Sequence, residues 1–223
     1  MSEKNSRRHF LRLLGASSGA LLLGNIGCGG GLANNAEENA EGGATSPAPT
    51  SCDLTGSDVR GPFHLDGAPQ RTRLASPDEP GESLVIAGTV YGPDCETPVA
   101  GALLDIWHAD TEGDYHNADA DWRLRGQVMT DQEGRYSFET ILPGHYPLGA
   151  SMRPAHIHFT ITNPGYEPLT TQLYFKGDPY LAPNDPCGRN CNSGDPTLII
   201  ELEEAQEAGE PLRGTFDIVL SRS

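Results

Sequence analysis

Within MRPAHIHFTIT, Met152–Thr162, two histidines stand two positions apart in a run that otherwise reads as a buried strand. Side chains alternate along a strand, so His156 and His158 leave one face while Ile157 packs on the other. Imidazole is the commonest metal ligand among side chains, and two on one face come within reach of a single ion. The alternative is a pair of hydrogen-bonded histidines at a sheet edge. The carboxylate patterns that often complete a metal site are missing nearby. Tyrosines are offered instead: Tyr115 in GDYHNAD and Tyr146 in LPGHYPLG, each flanked by glycine or proline. Loops of that kind hold functional side chains in fixed poses, although each tyrosine taken alone also fits an ordinary turn with a partly buried ring.

The elements that must position these residues are short. The 223 residues include 27 glycines and 18 prolines with 36% hydrophobic residues, a composition for many strands and turns rather than long helices. Strands are predicted at SLVIAGTVY (83–91), ALLDIW (102–107), RGQVMT (125–130), RYSFET (135–140), AHIHFTIT (155–162), TQLYFK (171–176), TLIIEL (from Thr197) and TFDIVL (215–220). TDQEGRY reads as a tight hairpin connection, and only EEAQEAGE hints at a helical turn. The expected fold is all-β: an antiparallel β-sandwich with long active-site loops.

Residues 1–28 read as an address. Arg7 and Arg8 in SRRHFLRLL precede an apolar stretch, 11–26, that is short and glycine-rich for a bilayer span. The segment resembles a twin-arginine export signal, which implies a periplasmic, extracellular or membrane-anchored protein. Cys28 stands where a lipoprotein would carry its lipid anchor, and cleavage after Ala33 is the competing choice. Residues 29–51, nearly free of large apolar residues, read as a flexible linker, and 52–223 as the folded domain. The remaining cysteines, Cys52, Cys95, Cys187 and Cys191, allow three pairings in an exported chain. The favoured one is a local clip, Cys187–Cys191, with Cys52–Cys95 tying the lead-in segment to the sheet. The formal charge of −16 argues against nucleic acid and anionic membrane as partners of the body.

The motif order is recognisable. PVAGALLDIWHADTEGDYHN, RGQVMTDQEGRYSFETILPGHYPLG, RPAHIHFTIT and TTQLYFKGDP, preceded by GPFHLDG, resemble the intradiol ring-cleavage dioxygenases over about Gly61 to Pro179. The likeness is strongest to the β-chain type of protocatechuate 3,4-dioxygenase and its exported single-chain relatives. It implies that Tyr115, Tyr146, His156 and His158 hold a non-haem Fe(III). It further implies that Arg153 stabilises developing negative charge and that Gln172 lies beside the substrate. Tyr146 would yield its place to the incoming diol and help take up a proton. The implied substrates are O2 and a small aromatic ortho-diol of the catechol, protocatechuate or hydroxyquinol class, and the product is a cis,cis-muconate type. Phenolates suit that ion, being hard anionic donors whose ionisation a bound cation promotes. His145 and Leu148 depart from the family pattern beside Tyr146, where proline and tryptophan are common. The helical dimerisation region of catechol-type members is replaced by the linker, so their quaternary structure is not expected. His108 reads as framework, His116 as pointing away from the metal, and His64 as a candidate for the pocket mouth that the sequence does not decide.

A second resemblance, of GTVYGPDCETPVAGALLDIW and TDQEGRYSFETILPGHYPL, is to carboxypeptidase-regulatory or adhesin-like sandwich modules without catalysis. It leaves RPAHIH and Gln172 without a reason. A zinc or copper H-x-H protein is a third reading, disfavoured by the two tyrosines and the lack of a nearby carboxylate.

Overall fold

The computed structural model describes residues 52–117, 121–203, 207 and 209–223. The signal (1–28) and linker (29–51) expectations lie outside the described residues, as does much of EEAQEAGE. Two five-stranded sheets face each other across one apolar core. In the first, β1 (Ser83–Tyr91) pairs antiparallel with β4 (Arg135–Ile141) and parallel with β11 (Leu212–Thr215) and β12 (Ile218–Val219). β10 (Leu202–Glu203) adds antiparallel to β11. The second sheet runs β3 (Arg125–Met129), β2 (Leu103–His108), β7 (His156–Thr162), β8 (Leu169–Phe175), β9 (Ile199–Ile200). Its pairs are antiparallel except β8–β9. A separate hairpin joins β5 (Tyr146–Leu148) to β6 (Ser151–Arg153).

Alternation decides which side of the second sheet does chemistry. Leu104, Ile106, Ile157, Phe159, Ile161, Leu173 and Phe175 fill the core with Leu84, Ile86 and Phe138 from the facing sheet. The intervening positions, His156, His158, Gln172 and Tyr174, therefore occupy the outer face, where long loops cover them. The strand register aligns Arg125, Trp107, His158 and Gln172 as one row across four strands. The sandwich is thus the platform, and its loop-covered outer face is the site.

Several expectations are refined. TDQEGRY does form a tight turn, Gly134 N–H to Asp131 O at 3.1 Å, but β3 and β4 belong to different sheets, so it is a crossover and not a hairpin. TLIIEL divides: a 3₁₀ turn, Pro196–Leu198, capped by the Asp195 side chain, precedes β9, and β10 then joins the other sheet. TFDIVL divides at Asp217, whose carboxylate accepts the Thr89 N–H at 2.8 Å in place of a backbone carbonyl. The two disulfides have the favoured pairing, Cys52–Cys95 and Cys187–Cys191.

Candidate metal centre

Tyr115 lies on the connection between β2 and β3, of which residues 109–117 and 121–124 are described. Asp110 starts the turn, its Oδ1 accepting the N–H groups of Glu112 (2.9 Å) and Asp114 (3.0 Å). Arg123 forks onto Glu79 at 2.9 and 2.7 Å and lies 3.1 Å from His116 Nδ1, while His116 Nε2 is 2.9 Å from Asp110 Oδ2. His116 therefore braces the loop away from Tyr115's partners. Arg125, buried, donates to Asn117 Oδ1 at 2.5 Å and to the Phe63 carbonyl at 2.8 Å. Phe63 in turn lies flat on Tyr115, ring centroids 4.3 Å apart and 11° between planes.

The two tyrosine-bearing loops interlock. A Cβ on Gly113, whose φ is +87°, would collide with the His145 carbonyl, and one on Gly144 would collide with the Thr111 carbonyl. Only glycine permits that approach. It sets Tyr146 edge-on to Tyr115, centroids 5.9 Å apart. Tyr146 lies in a strand rather than the loop its flanking glycine and prolines suggested, and it pairs directly with Arg153 across the β5–β6 hairpin.

The decisive geometry is at the centre. Tyr115 Oη lies 3.1 Å from His156 Nε2 and 3.0 Å from His158 Nε2. His156 Nδ1 is 2.6 Å from the Pro154 carbonyl, which can only accept, so Nδ1 carries the proton and Nε2 presents a lone pair. Burial, followed by the charge of Arg153, pushes His156 down to about 3; burial, then His156, pushes His158 well below its usual range. Both imidazoles are therefore neutral at pH 7. Burial also raises the Tyr115 phenol, against the opposing pull of Arg153.

This donor set fits a cation. The phenol proton can serve the His156 Nε2 lone pair, while His158 Nδ1, buried, has no hydrogen-bond partner, so no contact holds the proton on either nitrogen of that ring. A positive ion among the three atoms would take the Nε2 lone pair of each neutral ring and stabilise the phenolate that burial alone disfavours. Among the described residues no cluster of three or more His, Cys, Asp or Glu could hold a metal, so the donors here are imidazole and phenol.

Behind the ligand face, Trp107 stacks on His158 at 4.8 Å and 5°, and His64 packs edge-on to Trp107 at 4.5 Å. His64 Nε2 is 2.9 Å from Asp105 Oδ2, which makes it framework rather than pocket mouth. Gly61, with φ +68°, lies close enough to His158 that an added Cβ would sit 3.5 Å from its Cε1. Gln172 donates to the Val59 carbonyl at 2.6 Å, and its Oε1 is 2.8 Å from Tyr174 Oη. Arg153 donates Nη2 to Tyr174 at 2.9 Å and sets Nε and Nη2 against Asp185. The structure thus brings Tyr115, His156 and His158 together, with Tyr146, Arg153 and Gln172 around them. Phe63, Trp107, Arg125, Tyr174, Asp58 and Asp185 escaped the sequence reading. Alternation placed Trp107 and Tyr174 on the outer face, but the loop carboxylates left no local signal.

An all-β sandwich carrying two histidines, two tyrosines, an arginine and a glutamine on one loop-covered face defines a class. A match to the dioxygenase family spans residues 59–222, and the chain belongs to the intradiol ring-cleavage dioxygenases. Its relatives include chlorocatechol 1,2-dioxygenase of Rhodococcus opacus, 34% identical over 180 residues, 70% of this chain and 68% of that enzyme. Catechol 1,2-dioxygenase 2 of Acinetobacter lwoffii is 39% identical over 143 residues, 55% of this chain, and the match spans only 52% of that enzyme. Among solved structures, the dioxygenase domain of a dioxygenase–carbohydrate-binding protein fusion from Streptomyces sp. SirexAA-E is 36% identical. It superposes with a TM-score of 0.65 over 77% of this chain and 100% of that domain. The family match includes both the hairpin signals that suggested a non-catalytic module and the histidine strand that such a module leaves unexplained.

Proposed function

We propose that this protein is a non-haem Fe(III) intradiol dioxygenase that opens a catechol-type ring between its two hydroxylated carbons. Both atoms of O2 enter the product, each of those carbons becomes a carboxyl carbon, and the product is a cis,cis-muconate type. The observation that carries this reading is the convergence of two neutral imidazole Nε2 atoms on one buried phenol oxygen, 3.0 and 3.1 Å away. Bound by Tyr115, Tyr146, His156 and His158, a ferric ion would supply Lewis acidity and a template for the diol.

The chain's own residues do the rest. Burial keeps His156 and His158 neutral, and the Pro154 carbonyl holds the His156 proton on Nδ1 so that its Nε2 lone pair faces forward. Tyr146 Oη receives a proton from the incoming diol, and its hairpin partner Arg153 places a guanidinium where anionic charge develops. Arg153 Nη1 has no hydrogen bond among the described residues, which leaves that donor for the substrate. Gln172, tied to the Val59 carbonyl, presents a fixed amide beside His158. Phe63, stacked on Tyr115, keeps water from that phenol.

The curated relatives are named for catechol, chlorocatechol and hydroxyquinol, which supports a diol without a carboxylate as the substrate class. The proposal extends to location. Arg7 and Arg8, together with two disulfides, support export into an oxidising compartment, with Cys28 as the lipid anchor or release after Ala33. The testing measurement is a visible spectrum of the purified protein with iron quantified on the same sample, before and after anaerobic catechol. A red protein whose band shifts with the diol is expected. A protein that stays colourless after iron reconstitution would end the dioxygenase reading.

A further inference from the structure

The segment that follows β8 crosses the outer face and is tied down at three points. Asp178 Oδ2 accepts the Ala155 N–H at 2.9 Å and lies 3.1 Å from His145 Nε2. Asp185 takes Nε and Nη2 of Arg153, 3.2 Å each, with 2% and 6% of the two side chains exposed. Asn192 donates its N–H to Asp58 Oδ2 at 2.9 Å and its Nδ2 to the Ser57 carbonyl at 2.5 Å.

These contacts close a circuit. The Cys187 N–H donates to Asp185 Oδ1 at 2.9 Å, and the disulfide joins Cys187 to Cys191, next to Asn192. Asn192 holds Asp58, whose Oδ2 lies 2.8 Å from Tyr174 Oη, and Tyr174 accepts from Arg153. Burial works against the charge of Arg153, but Asp185 and Tyr174 outweigh it. A two-point fork onto a carboxylate also fixes the plane of a guanidinium, which a long flexible arm does not do alone.

We propose that Asp185 is a positioning residue for Arg153, and that the Cys187–Cys191 disulfide is the clip that keeps this loop-borne carboxylate in place. The disulfide thus acts on chemistry through a chain of contacts and not through global stability. Closing only a four-residue separation, it constrains the loop rather than the fold. The inference rests on the dioxygenase reading.

The test compares Asp185→Asn, Cys187→Ser/Cys191→Ser and their combination, each assayed for kcat and KM with catechol, iron content and the visible band. Asp185→Asn is expected to lower kcat roughly 10- to 100-fold through misorientation, with KM, iron and band within about twofold of the parent. The cysteine pair variant lowers kcat in the same direction by a smaller factor. The combination is within about twofold of Asp185→Asn alone, because both act through one contact. Asp185→Glu, which keeps the charge on a longer arm, recovers part of the loss and replaces Asp185→Asn in the comparison if the latter does not fold. The inference is overturned by an unchanged kcat, by loss of iron along with rate, or by factors that multiply. A parent protein without iron or turnover would instead end the dioxygenase reading, and an active parent with an indifferent Asp185→Asn would end only this inference.

Discussion

His108 shows how one buried residue sets an acid limit on the whole sandwich. It lies between the sheets, its Nδ1–H donating to the Ala109 carbonyl at 2.7 Å and its Nε2 2.6 Å from the Thr140 hydroxyl. The neutral ring satisfies both nitrogens, with the Thr140 hydroxyl donating to Nε2, and burial, which disfavours the charged ring, pushes the group down to about 4. The unfolded chain takes up this proton near pH 6.5 while the folded chain resists it, so stability is full above 6.5 and falls as pH drops toward 4. The difference amounts to about 3 kcal/mol by pH 4. Melting curves between pH 7.5 and 4.5 should therefore drop steeply for the parent and more gently for His108→Asn, compared at equal iron content because His156 and His158 push the same way without a cation. Equal slopes would place the acid sensitivity elsewhere. The framework role of His108 was legible because it stands among apolar strand residues. Asp185 was not legible, because nothing near it in sequence announces a partner thirty-two positions earlier.

At the scale of elements, the lead-in segment is held in place largely from outside itself. Thr55 N–H reaches the Val219 carbonyl at 3.1 Å, Asp58 N–H the Thr170 carbonyl at 2.9 Å, and Cys52–Cys95 closes a 43-residue separation. On the chain-entropy account such a closure contributes about 4 kcal/mol, and measured values for native bridges run about 2–5. Cys52→Ser/Cys95→Ser should lower the urea unfolding free energy by about 2–4 kcal/mol while retaining iron, since the Thr55 and Asp58 backbone bonds persist. A loss below about 1 kcal/mol would mean those bonds suffice. Strands with unbroken β-branched or alternating runs were legible: β1 occupies Ser83–Tyr91 as read, and β7 carries the histidines on the expected face. The β5–β6 hairpin was not, because its strands are three residues each, contain Pro147 and turn at Gly149. Its pairing of Tyr146 with Arg153 exists only in register, which side-chain types alone do not reveal.

At the scale of the molecule, and on the dioxygenase reading, charge sets which diols approach fastest. The chain carries a formal −16, against which Arg153 and Arg125 are the arginines that act on the centre. Arg153 is matched by Asp185 at 3.2 Å, while Arg125 donates to the neutral Asn117 amide and Phe63 carbonyl and offsets the field locally. A diol with a carboxylate, such as protocatechuate, therefore meets net repulsion that salt screens over about 10 Å at 0.1 M, whereas neutral catechol does not. Raising ionic strength from about 10 to 200 mM should increase kcat/KM several-fold for protocatechuate and leave catechol nearly unchanged. The composition made the sign of this field legible, but only the fold shows that Arg153 is paired with Asp185 and that Arg125 is the local counterweight. A kcat/KM for protocatechuate that falls with salt would show that uncompensated positive charge at the centre governs the approach, and would favour carboxylated diols as the substrates.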